Sequence, residues 1–222
     1  MSGTELDLAR VDRDGAIAET RGGLSRAGFL TAAGAGALLA LAPRARAAGL
    51  SKTDVDVLNY ALSLEYLQAA FYTESERSKA LKGRAAKAAA QVGAVERAHV
   101  QAFRALLGRK AMAKPRFDFQ GVTEDPKAFL KTAVAFEDLA VEAYKGQAPR
   151  IQSERVLAAA LGIHTVEARH AAWMRYLNGI QPAAAAFDDP RDKGEIDRIV
   201  RATGFVTAKP KMTTRRKPKY TG

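Results

Sequence analysis

The chain has 222 residues, a formal net charge of +11 and no cysteine. Its length suits one domain of ordinary size with tails, and the missing thiols exclude disulfides, thiolate metal sites and cysteine nucleophiles. Any transition metal held here must therefore use imidazole and carboxylate groups.

Residues 1–47 read as a targeting segment. Within it, residues 29–42 are a run of small or apolar side chains, FLTAAGAGALLALA, too short to span a bilayer, which takes ~20 residues. Arg21 and Arg26 precede the run, and Pro43 and Ala45-Arg46-Ala47 follow it. That is the layout of a secretory signal peptide with an A-x-A cleavage pattern. The stretch LSRAGFL, residues 24–30, is similar to the twin-arginine export signal S-R-R-x-F-L and departs from it at Ala27. Export by the twin-arginine or the general secretory route is expected. The mature chain would begin near Ala48 in the periplasm or another extracytoplasmic space; an uncleaved run would act as a weak envelope anchor.

The remainder is rich in Ala, Leu, Glu, Lys and Arg, which favour helix, and shows no sustained strand alternation. A first helix is expected over residues 53–79, capped by Ser51 or Thr53, with Leu58, Ala61, Leu62, Glu65, Ala69 and Tyr72 on one face. A second spans 84–107, with Val92, Val95, Glu96, His99, Phe103 and Leu106 inward. Asp125-Pro126 starts a third, which ends near Gly146 and carries Leu130, Val134, Glu137, Val141 and Tyr144 inward. A fourth runs over 153–177 with Ala160, Ile163, Val166, Glu167, His170, Met174 and Leu177 inward. Short turns join helices 1 to 2 and 3 to 4. Residues 108–125, by contrast, are eighteen in number; they reach ~60 Å, while a helix of ~24 residues is ~36 Å long. That link can cross the whole bundle. Residues 194–203 form a further short helix. The basic tail, with Lys209, Lys211, Arg215, Arg216, Lys217 and Lys219 and no acid, reads as a solvated, solubilising extension or as a contact to an acidic surface. Aromatics are not interleaved as a base-stacking groove needs, which argues against nucleic acid.

Two E-x-x-H motifs, each preceded by a lone inward glutamate on another helix, dominate the chemistry. One set is Glu65, Glu96 and His99; the other is Glu137, Glu167 and His170. The sets are copies, 72 positions apart at the lone glutamates and 71 at the motifs. Glu65, Leu67 and Tyr72 match Glu137, Leu139 and Tyr144, and V-E-x-x-H-x-x-x-x-R-x-L-x-G occurs from Val95 and again from Val166. A duplicated helix pair closing into a two-fold bundle is the simplest account. Each motif glutamate lies on an apolar stripe, where an unpaired charge is costly. Four carboxylates balance two divalent cations, and Glu and His three apart sit ~60° apart on a helix. Carboxylate and imidazole suit iron, manganese or zinc. His164 lies ~120° around helix 4 from His170 and is read as a surface residue or one behind the ligands. Tyr72 and Tyr144 either hydrogen-bond the ligands from behind or simply pack. Trp173 is expected in the core, and Glu74 and Glu142 at the surface.

This motif set, over residues 51–179, resembles the ferritin-like di-metal carboxylate proteins, which draw a Glu from each of two helices and Glu-x-x-His from each of the others. The chain is similar to exported bacterial members of that group such as the desiccation-related proteins. The resemblance implies an all-α fold: a ferritin-like four-helix bundle over 51–180, one long crossover between helices 2 and 3, and a C-terminal extension over 181–222. It implies two metal ions, iron or manganese, with Glu65 and Glu137 as terminal ligands, Glu96 and Glu167 bridging, and His99 and His170 one per metal. Di-metal oxidoreductase chemistry follows, ferroxidase-type or peroxidase/catalase-like, with oxygen or peroxide as substrate. The alternatives are a non-enzymatic envelope or stress-response protein with a structural metal site, and iron storage in a cage. Homo-oligomers are compatible with each.

Overall fold

The computed structural model describes residues 49–183 and 185–207. The export segment and the basic tail beyond residue 207 lie outside them. Four long helices form the bundle: α1 (Lys52–Ser78), α2 (Gly83–Leu107), α3 (Pro126–Gln147) and α4 (Glu154–Leu177). A shorter α5 (Lys193–Thr203) follows. Helix starts obey local chemistry. The side chains of Ser51, Asp125, Ser153 and Asp192 accept from the amides of Asp54, Ala128, Val156 and Glu195, satisfying donors that a helix leaves orphaned. None of the described helices is long and apolar enough to cross a membrane.

α1 packs chiefly on α2, and α3 on α4. Between the pairs, the link runs the length of the bundle, as its size allows. It starts beside Asn59, whose side chain bonds Lys110 O and Met112 N, and ends beside Ser78, whose hydroxyl donates to Thr123 O. The FDF segment is its anchor: Phe117 and Phe119 are buried. Phe71 meets Phe119 edge-on at 5.5 Å and stacks on Phe129 at 5.0 Å between ring centroids. Phe205 closes this cluster from the C-terminal side.

The extension after α4 is part of the packed body, at least to residue 207. Strand β1 (Arg116–Phe117) in the crossover pairs antiparallel with β2 (Val206–Thr207). Alternation could not announce this pairing, because two residues hold no period. On the other side, Arg191 clasps Glu142 through two hydrogen bonds, and Ile196 of α5 is fully buried against Tyr60, Leu64, Leu139 and Ala143. Glu142 is therefore half-buried and paired, not a bare surface acid. The expected end of α3 at Gly146 moves to Gln147. Gly146 has another reason: a Cβ there would lie 2.0 Å from Arg191 O. Glu74, also expected outside, is buried, because the turn Val122–Glu124 covers the end of α1 and Thr123 donates to its carboxylate at 2.7 Å.

Candidate metal centre

All six motif side chains meet at one buried place. Glu65 comes from α1, Glu96 and His99 from α2, Glu137 from α3, and Glu167 and His170 from α4. The four glutamates are 0 % exposed, and the two histidines 3 % and 7 %. They fall into two groups whose ligand-type atoms lie within 4.8 Å of one another: Glu65, Glu96, His99 and Glu167, and Glu96, Glu137, Glu167 and His170. Glu96 and Glu167 belong to both groups. The groups are not equal. His99 Nδ1 stands 3.2 Å from Glu65, 3.2 Å from Glu167 and 3.5 Å from Glu96. His170 Nδ1 stands 2.9 Å from Glu96 and 3.5 Å from Glu137.

Behind these side chains the two repeats exchange partners. Tyr72 donates its phenol proton to Glu137, and Tyr144 donates to Glu65. Seven residues of helix are ~10 Å long, too far for either tyrosine to reach the glutamate of its own repeat. Across the antiparallel α1 and α3 the same spacing brings each against the other's. The two tyrosines are thus buried in the core and bond the motif carboxylates. Gly93 permits this on one side, since a Cβ there would lie 2.7 Å from Tyr72 Cβ. The repeat places His164 where α2 has Gly93. His164 is half-buried, burial lowers its pKa, and it is in neither group. Trp173 is partly buried against the core. Gln68, which the sequence reading passed over, donates to Glu167 at 3.4 Å and is itself buried. Its repeat counterpart is Ala140, so Glu96 receives no equivalent bond. Comparing the repeats position by position could have flagged Gln68 as the break in symmetry.

Electrostatics show what this centre requires. Burial pushes Glu65 up to about 7, with His99 pulling the other way. Burial and then Glu96 push Glu167 well above its usual range. For Glu96 burial acts upward, but the contacts of His170 and His99 outweigh it and hold it low. Burial disfavours charge on His99 and His170, yet the surrounding carboxylates raise both. Protons shared among these groups thus offset part of the buried charge. Both oxygens of Glu96, Oε2 of Glu137, Oε1 of Glu167 and Nδ1 of His170 are buried and make no well-directed hydrogen bond, their approaches being the His99 and His170 contacts at 2.9–3.5 Å. These atoms are oxygen and imidazole nitrogen, all in the two groups, and the residues present fit divalent metal ions. Tyr72, Tyr144 and Gln68 occupy only the outer oxygens of Glu137, Glu65 and Glu167 and leave the inner ones turned to the centre.

No curated protein matches the chain. The family profile described as the ferritin-like domain matches residues 53–179, the span that holds all six converging side chains and the four bundle helices. The chain belongs to the ferritin-like domain family.

Proposed function

We propose that this chain is an exported ferritin-like protein that binds a pair of iron or manganese ions and uses them to oxidise metal or to consume oxygen or peroxide. In this reading Glu65 and Glu137 would be terminal ligands, Glu96 and Glu167, which belong to both groups, would be shared between the ions, and His99 and His170 would give one imidazole to each. The observation that carries it is the convergence of four fully buried carboxylates and two buried imidazoles into two groups that share Glu96 and Glu167. Buried charges are ordinarily paired or coordinate metals, and two imidazoles cannot by themselves balance four carboxylates. When bound, such a metal pair supplies electrons to oxygen or exchanges them with peroxide. The chain's own contribution is positional. Tyr72 and Tyr144 hold a proton against the outer oxygens of Glu137 and Glu65, Gln68 orients Glu167, and complete burial keeps bulk water away. Cleavage after Ala47 would deliver the mature protein outside the cytoplasm, where the basic tail meets acidic surfaces.

Complete closure of the four glutamates also suits a structural metal site, as in an envelope or stress-protection protein. Oxygen reactivity separates the two. The protein is purified metal-replete, reduced anaerobically and mixed with oxygen or with hydrogen peroxide. Consumption of either, with oxidation of the bound metal, supports the catalytic reading. A loaded protein inert to both leaves only the structural one. N-terminal sequencing from the native host checks export: the chain should start near Ala48, and an intact Met1 in a cytosolic fraction would refute it.

A further inference from the structure

The repeat predicts one contact that the folded centre lacks. Under it Glu65, Glu96, His99 and Glu167 map onto Glu137, Glu167, His170 and Glu96. His99 Nδ1 approaches three carboxylates, those of Glu65, Glu167 and Glu96. His170 should therefore approach Glu137, Glu96 and Glu167. It pairs with the first two, at 3.5 and 2.9 Å, and makes no such contact with Glu167. Helix geometry does not explain the difference, because Glu167 precedes His170 by three residues just as Glu96 precedes His99.

Gln68 does explain it. Glu96 turns one oxygen to each imidazole, Oε1 to His170 and Oε2 to His99. Glu167 turns Oε1 to His99, while its Oε2 accepts from Gln68 Nε2 at 3.4 Å. Gln68 lies three residues after Glu65 on α1 and is 2 % exposed, so bulk water does not compete for its amide. Its repeat counterpart Ala140 has no polar side-chain atom with which to draw Glu96 aside in the same manner. The side with Glu65 and His99 thus has an oxygen of both shared glutamates turned to its imidazole. The side with Glu137 and His170 has an oxygen of Glu96 alone.

We propose that Gln68 is a positioning residue that makes the two metal positions unequal: an ion beside His99 is held tightly, and an ion beside His170 is held weakly and exchanges. This rests on the metal-binding reading given above, and it says which ion a metal-oxidising centre would release and replace. Affinity for an oxygen-ligated ion follows the number and charge of its ligands. Partners that orient a ligating carboxylate change metal affinity about 10–100-fold when they are lost.

Titration of the metal-free wild-type protein with manganese(II) alone, by isothermal calorimetry, tests it. Two steps separated by at least about tenfold are expected. Gln68→Ala frees the second oxygen of Glu167, so the weaker step should tighten until the two lie within about threefold of each other. Gln68→Met, which keeps the volume, serves if alanine disturbs folding. A purely structural role for Gln68 would instead weaken both steps and leave the gap. Crystals of the wild-type protein with one equivalent of manganese(II) locate the first ion by anomalous scattering, and it is expected beside His99. A first ion beside His170, or a gap that survives both substitutions, overturns the proposal. Two ions of equal affinity in the wild-type chain overturn this inference alone, whereas a chain that takes up neither manganese(II) nor iron(II) overturns the metal reading itself.

Discussion

Replacing Tyr144 by phenylalanine isolates one bond of the centre. The ring stays, so packing is retained, and only the hydroxyl that donates to Glu65 is lost. Glu65 is fully buried, and burial brings its pKa up to about 7. Above that pH the bond is to a carboxylate and is worth about 1.5–3 kcal/mol; below it the pair is neutral and worth about 1 kcal/mol. The phenol remains a donor throughout, because burial and then Glu65 raise its own pKa. For a chain of this length each kcal/mol moves Tm by about 2–4 °C. Tyr144→Phe should therefore lower the Tm of the metal-free protein by about 3–12 °C at pH near 8, and by less at pH near 5.5. Tyr60→Phe is the control. The Tyr60 hydroxyl is also buried but has no hydrogen-bond partner, so deleting it should leave Tm unchanged or raise it. Differential scanning calorimetry at the two pH values measures both. Equal shifts for Tyr144→Phe and Tyr60→Phe, or a Tyr144→Phe loss that shrinks as pH rises, would refute the argument.

Three other outcomes follow from the same geometry. Glu65 and Glu167 have raised folded pKa values, and so do His99 and His170. Their stabilisation of the metal-free protein is complete below the unfolded values and is lost as pH rises through the folded ones. Glu96, held low, keeps its contribution across this range. Metal-free Tm should thus fall between pH 5 and 8, with most of the Glu65 loss as pH approaches about 7, while the gain on adding iron(II) or manganese(II) grows; melts with parallel pH curves would contradict this. His99→Ala and His170→Ala should each weaken metal binding by calorimetric titration, whereas His164→Ala, outside both groups, should not. Gly93→Ala should lower Tm although alanine in a helix interior is ordinarily worth about 0.5–1 kcal/mol over glycine, because its Cβ would sit 2.7 Å from Tyr72 Cβ and 2.5 Å from Glu76 Oε1; a stabilised variant would show that α1 and α2 separate freely.

Much of the centre was legible before any coordinates. Glu96 with His99 and Glu167 with His170 are fixed by helical spacing, a local property, and the repeat supplied Glu65 and Glu137 as their companions. The bundle order and the crossover followed from helix starts such as Asp125-Pro126 and from the reach of residues 108–125. What stayed hidden depends on which helix faces which. Tyr72 bonds Glu137 rather than its own repeat's glutamate, and nothing in the spacing of α1 alone names α3 as the partner. Glu74 carries the charge of a surface residue, and only the fold of the turn above it shows that Thr123 receives it inside. Gly146 reads as a helix end, because glycine often is one, but its role is to let Arg191 approach. Gln68 is a polar residue on a helix, unremarked until Glu167 is brought beside it.

The central claim is that the two overlapping groups hold two ions. Elemental analysis of protein purified in metal-replete medium, referred to protein concentration by amino-acid analysis, tests it most directly. The two groups that share Glu96 and Glu167 predict about two iron or manganese ions per chain, and loss of both in the Glu96→Ala variant. A wild-type chain that carries none, or a Glu96→Ala variant that retains both, would contradict the account.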